Sequence, residues 1–264
     1  MRGRGRGRLL GAVLAGVASA GELARLLPGR VCGVAVDIDG TITERRVSGD
    51  FRLSLEAVEA LRRLEDAGVR VILVTGNSVM VAAGVARYIG VRGPHVAENG
   101  CLVYQRGSVV HACRGTARAA AEALEEELGG LLEPSWQNRC RIHDYAFLVR
   151  RVGPEEAWRM AERVLRERGL RAKLSHSGYA LHVRPLEASK GLGLRVAMRM
   201  AGLEPGCVVA VGDSAMDLEM RDAGVTLAAV GNADPRLREG ADLILPGESG
   251  GGVALLARAI LESL

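Results

Sequence analysis

Aromatic side chains are scarce: two Phe, two Trp and four Tyr make up 3% of the 264 residues. The core must therefore be built from Val, Leu, Ala and Ile. Cysteine is sparse and unpatterned. Cys32, Cys101, Cys113, Cys140 and Cys207 are scattered, odd in number and never spaced C-x-x-C. They outline neither a zinc site nor a disulfide framework, so Cys32 and Cys207 read as small core residues beside strands. A reducing, cytoplasmic location is the expectation. An excess of positive charge is also missing from most of the chain. The net charge of +4 is matched by Arg2, Arg4, Arg6 and Arg8, so residues 9–264 are neutral overall. No global basic footprint exists, which argues against nucleic acid as the main partner.

The apolar stretch LLGAVLAGVASA is twelve residues long, too short to cross a bilayer as a helix. No membrane partner is expected. Residues 1–29 read as a leader. A basic start, a short apolar run and Ala18-Ser19-Ala20 have the form of a secretory signal. An over-long translation start and a disordered Arg-Gly leader are the competing readings.

What is present centres on VCGVAVDIDGTIT, residues 31–43. Val31 to Val36 is nearly continuous in apolar residues, as in a parallel strand covered on both faces. It ends in Asp37 and Asp39, at the end of the strand where open α/β sheets place their chemistry. Two acids so close would be costly to bury without a partner or a metal. Downstream, a helix over 55–67, a strand over 69–74, a helix from about 79 to 89 and a strand over 95–97 alternate. That rhythm predicts an α/β fold with a doubly wound parallel sheet. Between 101 and 186 the pattern changes to strand pairs with two helices, an inserted α+β module. Residues 30–100 and 187–264 are thus expected to form the core, and from Lys190 the α/β alternation resumes.

Further polar pieces fall at strand ends. Thr75-Gly76-Asn77 offers a hydroxyl and backbone N–H groups suited to an anion. Asp213 ends the strand over 207–211, and Asp217 lies one helical turn on, on the same side. Lys190 opens a helix. Four carboxylates, a lysine and a hydroxyl suit Mg²⁺ beside a phosphate.

Two other readings fail on spacing. A calcium loop starting at Asp37 would need Gly at the sixth position and Glu at the twelfth, where Ile42 and Ser48 stand. Gly247-Glu248-Ser249-Gly250-Gly251 matches G-x-S-x-G, but residues 252–264 hold no histidine to complete a triad. His176 and His182 fall in one strand pair; His176 could face a substrate, although a structural histidine is the commoner case.

DIDGT, TGN, Lys190 and GDSAMD, in that order, resemble the four motifs of the haloacid dehalogenase superfamily of phosphohydrolases. The resemblance runs from Val31 to the end of the sequence. The insert resembles the α+β cap of the sucrose-phosphatase-like and Cof-like branches. GNS, AENG, SGYALHV, ASKG and VGNAD look most like the archaeal phosphoglycolate phosphatase branch. The resemblance implies hydrolysis of 2-phosphoglycolate, with Asp37 as nucleophile and Asp39 as general acid and base. It implies Mg²⁺ held by Asp37, the Asp39 carbonyl, Asp213 and Asp217. Thr75, Gly76 and Lys190 would meet the phosphoryl oxygens, and Asn99 and Asn232 would sit near the cleft between cap and core. A homodimer through the caps is a further expectation. Met216 departs from the family, whose members often carry Asn there. The alternatives are a sugar-phosphate phosphatase, a phosphomutase and a non-catalytic binding protein on the same fold.

Overall fold

In the computed structural model, residues 19–44, 51–177 and 179–264 are described. The chain runs through α1 (Ala20–Ala24), β1 (Gly33–Val36), α2 (Leu55–Asp66), β2 (Arg70–Leu73), α3 (Val79–Ile89) and β3 (His95–Ala97). A hairpin follows, β4 (Leu102–Gln105) and β5 (Ser108–His111). Next come α4 (Arg118–Leu128), β6 (Leu132–Pro134), β7 (Tyr145–Val149), α5 (Pro154–Glu167), β8 (Lys173–His176) and β9 (Ala180–Arg184). Last are α6 (Lys190–Ala201), β10 (Val208–Gly212), a 3-10 helix (Ala215–Ala223), β11 (Thr226–Ala229), α7 (Pro235–Gly240), β12 (Leu243–Ile244) and α8 (Ser249–Glu262).

The parallel sheet has the order β12-β11-β10-β1-β2, and all four residues of β1 are buried, as its small and β-branched sequence requires. Helices cover it with their apolar stripes. In α2 the buried Ala57, Leu61 and Leu64 recur at helical spacing, and Ser54 Oγ accepts from the Ala57 N–H at 3.3 Å to cap its start. A second sheet, β6-β7-β9-β8, is antiparallel and carries its own apolar cluster from Ala117 to Val183, packed under α4 and α5. The hairpin β4–β5, expected to open the insert, pairs antiparallel with β3 instead. β6 was not expected: it is three residues long with Pro134 at its end, on a sheet edge, where a missing N–H is tolerated. Residues 45–50 of the expected polar loop and Gly178 of the expected strand turn lie outside the described residues.

Three sequence expectations are corrected. The cysteines do form disulfides, Cys32–Cys207 and Cys101–Cys113, with Cα atoms 5.2 and 4.6 Å apart. β1 and β10 pair with Gly33 opposite Val208, so the residues just before each strand face one another across 175 positions of sequence. No spacing rule can show that. Cys140 is free and exposed. With two disulfides present, cysteine usage no longer argues for a reducing compartment. The leader, too, is not all leader. Residues 1–18 lie outside the described residues, but Ser19 caps α1, and Ala20, Leu23 and Leu27 are buried in the main core beside α8. No described helix is long and apolar enough to cross a membrane.

β3 joins the parallel sheet by a single bridge between Val74 and Val96, and a buried side chain reinforces the junction. The Leu73 N–H donates to His95 Nδ1 at 3.1 Å, which requires an unprotonated nitrogen. Burial pushes the His95 pKa down to about 4.

Two outcomes follow for stability. Leu23→Ala should lower the unfolding free energy by about 2–4 kcal/mol in urea titrations, the usual cost of a buried leucine; a dispensable leader would show no change. His95 favours its neutral form when folded, so the unfolded chain takes up a proton first and stability falls as the pH drops from 6.5 towards 4. Between about pH 7.5 and 5 this amounts to roughly 2 kcal/mol, and His95→Gln should remove that part of the pH dependence. Equal slopes for both proteins would refute it.

Candidate active site

Val36 at the end of β1 is paired with Val211 of β10 on one side and Leu73 of β2 on the other. Asp37 therefore leaves the sheet level with the ends of both neighbours, where the strand order turns back, and its N–H donates to the Val211 carbonyl at 3.0 Å. The chain then bends at Gly40, which has φ +89°, a conformation glycine adopts without strain. A side chain there would run into the Asp213 carboxylate, so the two acidic loops can touch only because residue 40 has none. Ser249 Oγ donates to the Gly40 carbonyl at 2.9 Å, and Asn232 Nδ2 does so at 3.3 Å.

Asp37, Asp213 and Asp217 come together, each with a carboxylate oxygen within 4.8 Å of the others. Lys190 Nζ is buried between two of them, donating to Asp37 Oδ1 at 2.7 Å and Asp217 Oδ1 at 2.5 Å. Asp217 spends its other oxygen on the start of its own helix, accepting from the Asp213 and Ser214 N–H groups and from Ser214 Oγ. Thr41 Oγ1 lies 3.1 Å from Asp213 and 3.4 Å from Asp37. Asp39 turns the other way, to accept from Asn77 Nδ2 at 2.5 Å.

Burial raises the Asp37 carboxyl well above its ordinary range; Lys190 opposes this, and Asp217, Asp213 and Asp39 add to it. Burial and then Asp217 push Asp213 up to about 7. Asp39 is raised by burial against the pull of the Asn77 amide. Burial would depress Lys190, but Asp217 and Asp37 hold its pKa above the usual lysine value. More carboxylates than cations are buried here, all with oxygen donors, which is the donor set of a hard divalent ion.

A cavity of about 510 Å³ opens over this end of the sheet. Asp37, Asp39, Gly76, Asn77, Asn99 and Lys190 line one side, and Gln137, Arg141 and His182 line the other. The second sheet is tied down over it. Gln137 accepts from the Ser78 N–H at 2.8 Å and donates to Asn77 Oδ1 at 2.7 Å. Glu98, fully buried, accepts from the N–H groups of Ile142, His143 and Asp144, while Glu98 and Asn99 both take positive φ, 48° and 50°. Glu219 accepts from Lys173 and Arg184 of β8 and β9 and from the Lys190 N–H.

The sequence-expected residues are therefore not equally placed. Asp37, Asp39, Gly76, Asn99 and Lys190 line the cavity; Asp213 and Asp217 lie behind Asp37. Thr75 is fully buried, and its hydroxyl accepts from the N–H and the side-chain amide of Asn77, so it braces the loop rather than facing the cavity. Asn232 lies outside the lining: its amide oxygen accepts from the Ser249 N–H and its nitrogen holds Gly40. A side chain on Gly76 would meet the Asn99 amide at 2.9 Å, which explains that glycine. His182, not His176, reaches the cavity. Asn77 could have been found in the sequence, being the last residue of TGN. Gln137, Arg141 and Asp144 carried no motif, because they reach the site only through folding of the second sheet.

Residues 34–127 and 153–256 match the haloacid dehalogenase-like hydrolase family. The phosphoglycolate phosphatase of Staphylothermus marinus is 37% identical over 232 residues, covering 86% of this chain and 97% of that protein. That of Metallosphaera sedula is 41% identical over 218 residues, covering 82% and 93%. Among solved structures, a Thermoplasma acidophilum protein superposes with TM-score 0.76 at 24% identity, covering 89% of this chain and all of that one. A Synechocystis sucrose-phosphatase solved with sucrose and phosphate gives 0.67 at 18% identity, covering 88% and 96%. This chain belongs to the haloacid dehalogenase-like hydrolases and is similar along most of its length to the phosphoglycolate phosphatases among them.

Proposed function

We propose that the protein hydrolyses small phosphomonoesters, 2-phosphoglycolate foremost, through an aspartyl-phosphate on Asp37. The observation that carries this reading is the meeting of Asp37 with Lys190, Asp213 and Asp217 at the end of β1, while Asp39, two residues on, opens into the same cavity. Residues 30–100 and 187–264 then act as the catalytic core, with the β4–β5 hairpin paired onto β3, and the rest of 101–186 acts as the cap over it.

Asp37 attacks phosphorus, forming an Oδ–P bond as the ester P–O bond breaks. Asp39, its carboxyl raised by burial, protonates the departing alkoxide. Water then attacks the phosphorus, giving its proton to Asp39, and the Asp37–phosphorus bond breaks to release phosphate. The amide of Asn77 keeps Asp39 turned towards the cavity. Lys190 holds Asp37 in place and sets a positive charge beside the phosphoryl oxygens, and the Gly76 backbone offers them an N–H. Asp37, the Asp39 carbonyl, Asp213 and Asp217 are the residues to hold Mg²⁺, which when bound draws charge from the phosphoryl group. We place the reaction in the cytoplasm.

The test is phosphate release from 2-phosphoglycolate, a set of sugar phosphates and p-nitrophenyl phosphate, with chelator or with Mg²⁺. The expected result is a lead for 2-phosphoglycolate in kcat/KM, loss on chelation and recovery with Mg²⁺. An even spread over sugar phosphates would favour the sugar-phosphate reading instead, which the sucrose-phosphatase likeness in fold also accommodates. Asp37→Asn should lower kcat by about 10⁴-fold or more, as expected on losing a nucleophile. Asp39→Asn should give a burst of nitrophenolate equal to the enzyme concentration followed by slow phosphate release, because that leaving group needs no proton while the second step still lacks its base. Turnover by Asp37→Asn at the unmodified rate would end the proposal.

A further inference from the structure

Among the described residues lining the cavity, Arg141 is the one strong cation on the cap side, and its guanidinium makes no hydrogen bond. The residue is 5% exposed, yet among the described residues none of its side-chain N–H groups makes a hydrogen bond; Nε and Nη1 are buried without a partner. Its nearest countercharge, Asp144 Oδ1, is 3.5 Å from Nη1. Asp144 is already engaged elsewhere. One of its oxygens accepts from His182 Nδ1 at 3.0 Å, and the other is taken by the Asn99 amide. Burial would raise the Asp144 carboxyl, but His182 and Arg141 outweigh it and hold it ionised. The acid thus fixes Arg141 and His182 side by side and leaves the guanidinium fork without a hydrogen-bonding partner, at the wall of the cavity.

An ion pair with no further role would be expected to bond at closer range, since a buried guanidinium without hydrogen bonds is costly. A planar fork of donors is matched by a planar acceptor with two oxygens. The opposite wall already supplies what the phosphoryl group needs, in Lys190 and the Gly76 backbone. Among the described residues one guanidinium stands on the other wall, which suits a singly charged anion rather than a second phosphate.

The geometry points to Arg141 as the residue that selects substrates by a carboxylate on the leaving group. It binds that carboxylate through its fork while Asp144 and His182 hold it in position. This inference rests on the phosphatase reading above and deepens it: the preferred substrates are phosphate esters of short hydroxy acids. The positive charge near the departing alkoxide is a specificity device, and the protons are still moved by Asp39.

The experiment compares 2-phosphoglycolate with ethyl phosphate, which has the same carbon chain without the carboxylate. Both are measured with the full chain, with Arg141→Gln and with Arg141→Lys. The ratio of their kcat/KM values should fall about 10- to 100-fold in Arg141→Gln, mainly through KM, as for loss of a charge-assisted pair. Arg141→Lys, keeping the charge without the fork, should recover part of the ratio. An unchanged ratio overturns the inference, whether both substrates lose activity together, as for a structural or phosphate-binding arginine, or neither does. Binding of glycolate alone, followed by NMR titration, separates this from failure of the phosphatase reading. Should no ester be turned over, glycolate binding that is lost in Arg141→Gln still supports the carboxylate site, and binding indifferent to the substitution removes it.

Discussion

Four carboxylates gather at the ends of two adjacent parallel strands, and one buried ammonium, that of Lys190, stands among them. Like charges at this range repel strongly in a medium that screens less than water. The arrangement persists because every member is held from behind. Asp217 is anchored by the start of its own helix, Asp213 and Asp37 share the Thr41 hydroxyl, and Asp39 is drawn aside by Asn77. The rest of the molecule can be read as support for that concentration of charge. The sheet sets the acids level with one another, and the Gly40 turn lets the two loops meet.

The second sheet is fastened to this centre by ionised or polar groups rather than by a continuous apolar core, since the two apolar clusters are separate. Glu98 receives three backbone N–H groups from the 142–144 segment, Glu219 gathers Lys173, Arg184 and the start of α6, and Gln137 reaches the loop after β2. Polar contacts of this kind are directional, so they fix where the cap side chains stand over the reacting carboxylates. Two of the tethers adjoin the residues that matter most. Glu98 precedes Asn99, which bonds Asp144, and Glu219 bonds the N–H of Lys190 itself. Recognition on the cap side and chemistry on the core side are thereby joined through backbone as much as through side chains.

The sequence by itself determined the parallel sheet and the chemistry at its edge. Buried strands are written as short, mostly apolar runs of Val, Ala, Ile and Leu, and DIDGT, TGN and GDSAMD each lie within a few residues of a strand end, so local pattern was enough to place Asp37, Asp39, Asp213 and Asp217 at one edge of the sheet. Lys190 was legible only in company, since a lysine opening a helix is ordinary. What the sequence left open depended on contacts between distant positions. Cys32 meets Cys207 because β1 and β10 share a register, and Ala20, Leu23 and Leu27 belong to the core because α1 packs beside α8. Thr75 and Asn232 proved to be braces of the site rather than its surface, because hydrogen-bond partners are set by side-chain direction, which motifs do not carry. Gln137, Arg141 and Asp144 lie in the segment that joins β6 to β7, and only the closure of the inserted sheet over the core brought Gln137 and Arg141 to the cavity.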